Sequence, residues 1–276
     1  MKLINFKAVQ NGKLSEEILN HFNGAASYSL VMKLIRKKDV KVNGRRTGKD
    51  EIVETGDEIS VYAEITDERA EKTIYEDENI LVSVKPKGIT SEDFYELIKK
   101  KNANARFIHR LDRNTDGIMI FALNDTAESE LLKGFRNRTF KKYYITKAAG
   151  TFEKNEGALT AYLIKNAEKA EVKIFDEPTK NAEKIITKYK VLSKRDGFSI
   201  LEIELVTGKT HQIRAHLSHV GHPIIGDGKY GYKSINDRFK EKSQVLTAYK
   251  MQLFFDKESP LYYLDGKTFE ITTQSV

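Results

Sequence analysis

Ile118-Met119-Ile120-Phe121-Ala122-Leu123 is an unbroken apolar run bounded by Gly117 and Asn124. It is too short to cross a membrane and shows no polar alternation. Such a run reads as a β-strand covered on both faces. A strand of that kind belongs inside a large sheet, and the rest of the chain arranges itself around it.

Immediately before it stands His109-Arg110-Leu111-Asp112-Arg113-Asn114-Thr115-Asp116-Gly117, after the apolar lead-in Phe107-Ile108. Arginines, a histidine and two carboxylates thus share one loop anchored by a rigid strand, a common setting for functional residues. Composition alone equally allows a polar turn in which Asp112 caps backbone amides.

Further out the pattern is mainly β. Ile80–Val84 is an apolar strand stopped by Lys85-Pro86-Lys87-Gly88, and Tyr143–Ala148, Ile185–Leu192 and Phe198–Val206 are further strands. Asp125 with Glu128 resembles a capping box opening a helix with Leu131, Leu132 and Phe135 inward. Thr210 can cap a helix from His211 to Val220, closed by Gly221, with Ile213, Leu217 and Val220 as its buried stripe. Asp265-Gly266 joins a final hairpin. The fold class is α+β, with a large, mostly antiparallel or mixed sheet over residues 73–276.

Two more segments can carry chemistry. In the late helix Arg214 lies off the buried stripe, beside His211 and Ser218, either on the surface or facing a cleft as a carboxylate partner. In Phe140-Lys141-Lys142-Tyr143-Tyr144-Ile145 the two tyrosines point to opposite sides of a strand, so one can reach a pocket and stack on a base. Alternatively, both are half-buried sheet residues. His211, His216, His219 and His222 lie close together, but their separations of five, three and three do not repeat a zinc helix. Capping, packing and RNA contacts suit them better, and no metal is expected.

Residues 1–63 read as a separate αα-β unit. Leu14, Ile18 and Leu19 mark one helix ended by Gly24. Ser27 or Ser29 can cap a second, with Leu30, Leu34 and Ile35 inward and Lys33, Arg36 and Lys37 outward. Val40–Val42 and Glu58–Tyr62 alternate as strands, with Asn43-Gly44 a tight turn. Lys33, Arg36, Lys37, Lys38, Lys41, Arg45, Arg46 and Lys49 face only Asp39 between Leu30 and Lys49, a local footprint of the kind phosphate contacts need. A solvated lysine-rich face would look the same. The polar stretch 64–72 is the linker candidate.

The 276 residues carry a formal charge of +7, and hydrophobic residues make up 39%. That suits one medium domain plus one small one with polyanion partners. There are no cysteines, which excludes disulfides and thiolate metal sites. No apolar run approaches membrane-spanning length, and the first residues lack a signal-peptide pattern. A cytoplasmic location is expected, with no membrane partner and monomer as the default.

His109-Arg110-Leu111-Asp112 with Thr115 and Gly117, then Lys142 and Tyr144 ahead of Gly150, then Gly208–His216 and Gly221-His222-Pro223-Ile224-Ile225-Gly226-Asp227, resemble in this order the RluA-type pseudouridine synthases. The likeness runs from about Tyr75 to Phe254. The N-terminal unit resembles the alpha-L RNA-binding motif of ribosomal protein S-four type, through Ser29-Leu30 to Arg36, Val40–Gly44 and Gly56–Ile59. Three positions depart from the pattern: Asp116 stands where serine is usual, Lys209 where arginine is usual, and Thr247 precedes Ala248 where histidine often does.

The resemblance implies isomerisation of uridine to pseudouridine without cofactor or metal. The target base must be everted from its helix, which costs a few kcal/mol. Asp112 would act as the catalytic carboxylate, adding to the sugar or removing a proton from it. Arg214 would pair with and orient it, Tyr144 would stack on the uracil, and Arg110 would enter the vacated space. RNA contacts fall to Lys33, Arg36, Lys37, Lys41 and Arg45, with His211 and Gln212 at the site. Large-subunit ribosomal RNA is the favoured substrate and transfer RNA the alternative. A different reading is an RNA-binding or assembly factor with an inactive synthase domain. A hydrolase built on Asp112 and Asp116 is weaker, since no nucleophile and base complete it.

Overall fold

The computed structural model describes residues 2–22, 26, 28–63, 72–166 and 171–272. The chain divides into two compact units, Met1–Ala70 and Glu71–Val276. Gly24, Ser27 and the expected linker up to residue 71 lie outside the described residues.

In the first unit β1 (Lys2–Lys7), β6 (Glu58–Ala63), β3 (Val40–Val42) and β4 (Arg45–Thr47) form an antiparallel sheet in that order. A short ribbon pairs β2 (Gly12–Lys13) with β5 (Ile52–Val53). Two helices, α1 (Leu14–His21) and α2 (Tyr28–Arg36), bury Leu14, Ile18, Val31 and Ile35 against Val40, Ile59 and Val61. The unit is therefore more than αα-β, because β1 adds an edge strand that pairs with β6 from Lys2↔Ala63 to Lys7↔Glu58. Ser29, the other expected cap, lies within α2 rather than before it. Asn43 and Gly44 both have positive φ, as the tight β3–β4 turn requires.

The second unit holds an eleven-stranded mixed sheet among the described residues. Its strands are β7 (Lys72–Glu76), β8 (Ile80–Lys85), β9 (Arg106–Phe107), β10 (Asp116–Ala122), β11 (Lys141–Ala149), β12 (Glu156–Asn166), β13 (Glu171–Phe175), β14 (Glu183–Arg195), β15 (Phe198–Leu205), β16 (Leu246–Gln252) and β17 (Thr268–Glu270). The main order is β13-β12-β14-β15-β11-β16-β10-β8-β7. Every pair is antiparallel except β10 with β16. Helices α3 (Ser91–Lys101), α4 (Asp125–Asn137), α5 (Gln212–His219) and α6 (Lys233–Phe239) complete the unit.

The strand β10 is buried on both sides, as its apolar run predicts. Met119 and Phe121 join a core with Phe94 and Ile98 of α3 and Ile213 and Leu217 of α5. Ile118 and Ile120 join another with Ala127 and Leu131 of α4. Gly117 has φ 126°, and a Cβ there would come 2.2 Å from the Ala248 carbonyl oxygen on β16, so both the backbone and the space require glycine.

Several local expectations need correction. Asn124 caps α4, its side chain accepting from the Ala127 N–H at 2.9 Å; Asp125 is the first helical residue. Leu132 is exposed, since α4 presents only one narrow stripe to the sheet. His211, not Thr210, occupies the cap position of α5, in the left-handed region at φ 52° and without a side-chain cap bond. Val220 is exposed and lies beyond the helix. Asp265-Gly266 forms only the last corner of a longer connection, containing a 3-10 turn at Tyr262–Leu264, between the antiparallel strands β16 and β17.

Candidate active site

The loop from Ile108 to Thr115 is pinned residue by residue. The His109 Nε2 accepts the Ile120 N–H at 3.1 Å, and its ring stacks on Phe135 with centroids 4.6 Å apart. Burial, then the positive charge of Lys142, lowers the His109 pKa to about 3, so the ring is neutral, as its acceptor role needs. The Ser91 Oγ donates to the Leu111 carbonyl and accepts the Leu111 N–H, at 2.9 and 2.8 Å. The buried Lys85 donates to the Pro86, Ile89 and Arg113 carbonyls. Burial lowers its pKa to about 8 despite the charges of Asp116 and Asp112. The Asp112 side chain takes part in none of these ties.

Opposite charge reaches it from α5. The Arg214 Nη1 donates to Asp112 Oδ2 at 2.9 Å. The other edge of the guanidinium is gripped by Asp227, with Nε to Oδ2 at 2.7 Å and Nη2 to Oδ1 at 2.9 Å. Asp227 is fully buried and also accepts the Lys229 and Tyr230 N–H groups. Burial opposes charge on both partners, but the mutual pairing outweighs it. The Asp227 pKa is lowered and that of Arg214 raised. The Arg214 guanidinium also lies 5.3 Å from the centroid of the Tyr230 ring. This fork is fixed before any substrate arrives.

Asp112, Arg214, Tyr144, Arg110, His211 and Gln212 line one cavity of about 440 Å³. Tyr144 enters it from β11, where a bulge between Tyr143 and Tyr144 breaks register with β16. Burial, then the Asp112 charge, raises the Tyr144 pKa, so it is a neutral phenol. Tyr143 points to the other face of the sheet. Arg110 is exposed and, among the described residues, is held only by a 3.3 Å pair with Glu92. The His211 Nδ1 bonds the Tyr230 hydroxyl at 2.9 Å, and its Nε2 lies 3.9 Å from Asp112. Gln212 is committed inward: its oxygen accepts from Thr207 Oγ1 and the Lys209 N–H, and its nitrogen donates to the Ile186 carbonyl and Thr187 Oγ1. It fixes the turn into α5.

The clustered histidines disperse. His216 bonds Thr187, His219 bonds Asp176 and His222 bonds the Ala149 carbonyl. Two of the three departures from the family pattern touch each other, as the Asp116 Oδ1 accepts from Thr247 Oγ1 at 3.0 Å. The third, Lys209, pairs with Glu183.

In the first unit Lys33, Arg36 and Lys37 form an exposed edge of α2 and the turn after it. Lys41 sits on the sheet face turned away from the helices, near the Tyr62 ring, and Arg45 pairs with Glu51. The single basic cluster in the sequence is thus split between two sides of that unit. Sequence reasoning gave no role to Asp227, although its place in Gly226-Asp227 was visible. It also missed Phe135, Arg136 and Arg138 in the cavity wall, because nothing local marks the end of α4 as part of the site.

Residues 79–219 match the RNA pseudouridylate synthase family. An uncharacterised RNA pseudouridine synthase of Mycoplasma genitalium is 32% identical over 228 residues, covering 74% of this chain and 73% of that protein. The ribosomal large subunit pseudouridine synthase C of Escherichia coli is 27% identical over 266 residues, covering 87% and 83%. The fold resembles that of human RNA pseudouridylate synthase domain containing 1, with TM-score 0.63 and 22% identity over 75% of this chain and 84% of that one. With the family match extending from β8 through α5, the chain belongs to the RNA pseudouridylate synthases, isomerases that modify RNA, and within them to the RluA type.

Proposed function

We propose that this synthase isomerises a uridine of large-subunit ribosomal RNA, with Asp112 as its catalytic carboxylate. The observation that carries this reading is the 2.9 Å contact between Asp112 and a pre-positioned Arg214 in a cavity walled by Tyr144. The reaction breaks the bond from ribose to uracil nitrogen, turns the base, and rejoins it through a ring carbon, so no atom is gained or lost. Asp112 meets the sugar, Arg214 holds the carboxylate in place and Tyr144 stacks on the uracil. A base paired in a helix cannot enter, so the nucleotide is everted. The weakly held Arg110 swings from Glu92 to fill the gap. The exposed row Lys33, Arg36 and Lys37 supplies RNA affinity from the first unit, which serves as an RNA-binding domain of alpha-L type.

Ribosomal substrate is favoured by the large-subunit synthases of type C among the relatives. Pseudouridine mapping of total RNA from cells with and without the gene is the test. Loss of one or more large-subunit sites, restored by the wild-type gene and not by Asp112→Asn, is expected. An unchanged ribosomal pattern with a lost transfer RNA site would move the substrate to transfer RNA.

A further inference from the structure

One part of the cavity wall is not used by the chemistry at Asp112. It consists of Phe135, Arg136 and Arg138 at the end of α4 and Lys142 on β11. The other cations of the cavity have carboxylate partners: Arg110 with Glu92, Lys209 with Glu183, and Arg214 with Asp112 and Asp227. Arg136, Arg138 and Lys142 form no ion pair among the described residues.

Lys142 is the informative member. Its ammonium lies 5.5 Å from the centroid of the Phe135 ring. It also lies so close to Gly208 that a Cβ there would stand 3.1 Å from Nζ. It therefore bridges the end of α4 and the loop entering α5. Burial, then the charge of Arg138, depresses its pKa. The negative end of the α4 dipole favours cations at Arg136, in its last turn, and Arg138, its C-cap, but Lys142 belongs to a strand. A half-buried ammonium beside a second cation, with no ion-pair partner among the described residues, is unfavourable until an anion joins it.

If an everted nucleotide occupies the cavity, as proposed above, it brings one such anion with it. We infer that Lys142 and Arg138, with Arg136 at the rim, form a phosphate subsite that holds the phosphodiester of the nucleotide whose base lies against Tyr144. The subsite binds backbone rather than base, so it places the ribose at Asp112 whatever the neighbouring sequence.

The test is binding of a fluorescein-labelled transcript of large-subunit ribosomal RNA to the full-length protein across a series of potassium chloride concentrations. Lys142→Gln and Arg138→Gln should each weaken binding by about tenfold, as loss of a charged contact does. Each should also flatten the slope of log affinity against log salt by roughly 0.7, the value for one phosphate on a single strand. Lys142→Arg, which keeps the charge, should retain the wild-type slope. Arg138 is exposed, so its variant reports even if Lys142→Gln does not fold. Wild-type slopes in both glutamine variants would overturn the subsite. If the slopes fall but the wild-type protein forms no pseudouridine in the transcript, the subsite stands and the ribosomal reading fails. If the transcript is modified and the slopes do not move, the subsite alone fails.

Discussion

Asp227 decides where Arg214 points. With two hydrogen bonds to its far edge, the guanidinium has one direction left for Nη1, and Asp112 lies there. Asp227→Asn keeps the size of the side chain but removes the charge and sets a donor against a donor. Because the pair is buried, stability should fall by about 3 kcal/mol in urea unfolding. Turnover should fall as well, since Arg214 is then free to rotate; unchanged stability and turnover would remove Asp227 from its positioning role. His109 predicts a pH effect. Its folded-state pKa of about 3 lies below the ordinary 6.5, so its contribution to stability is complete above about pH 6.5 and is lost on acidification toward pH 3. Unfolding followed by circular dichroism should show this loss, and His109→Gln, which still offers an acceptor to the Ile120 N–H, should show less of it.

At the scale of elements, the site is built where β10 and β16 run parallel. Gly117 permits their approach. Gly117→Ala forces a Cβ into the Ala248 backbone at a positive φ, and should cost about 3 kcal/mol by the same urea measurement. Stability within 1 kcal/mol of wild type, roughly the cost of a tolerated core change, would show that the strands can part. The elements that could be read from sequence are those with a strong local signal. β10 needed only its apolar run, and α5 its spacing with Gly221. α3 carried its signal in Thr90, Phe94 and Ile98, but lies in a region dominated by strands. β1 pairs with a strand far along the chain, and β12 and β13 owe their burial largely to one another, to β14 and to α5. Such non-local pairing leaves little mark on the residues concerned. The site was legible for the same reason: Asp112, Tyr144 and Arg214 sit in motifs, whereas the end of α4 enters the cavity through tertiary packing alone.

Across the whole molecule, the proposed function places catalysis in the second unit and RNA binding in the first. The first unit shows two cationic sides, the α2 row and the sheet face with Lys41. RNA held by the helix side predicts that Arg36→Ala and Lys37→Ala flatten the salt dependence of binding by more than Lys41→Ala does. The reverse order would turn the unit around on its RNA. The central claim, that the carboxylate of Asp112 performs the isomerisation, is tested most directly by single-turnover pseudouridine formation with Asp112→Asn and saturating ribosomal RNA. The account predicts no detectable product alongside RNA affinity close to wild type. Product formed at the wild-type rate would contradict it.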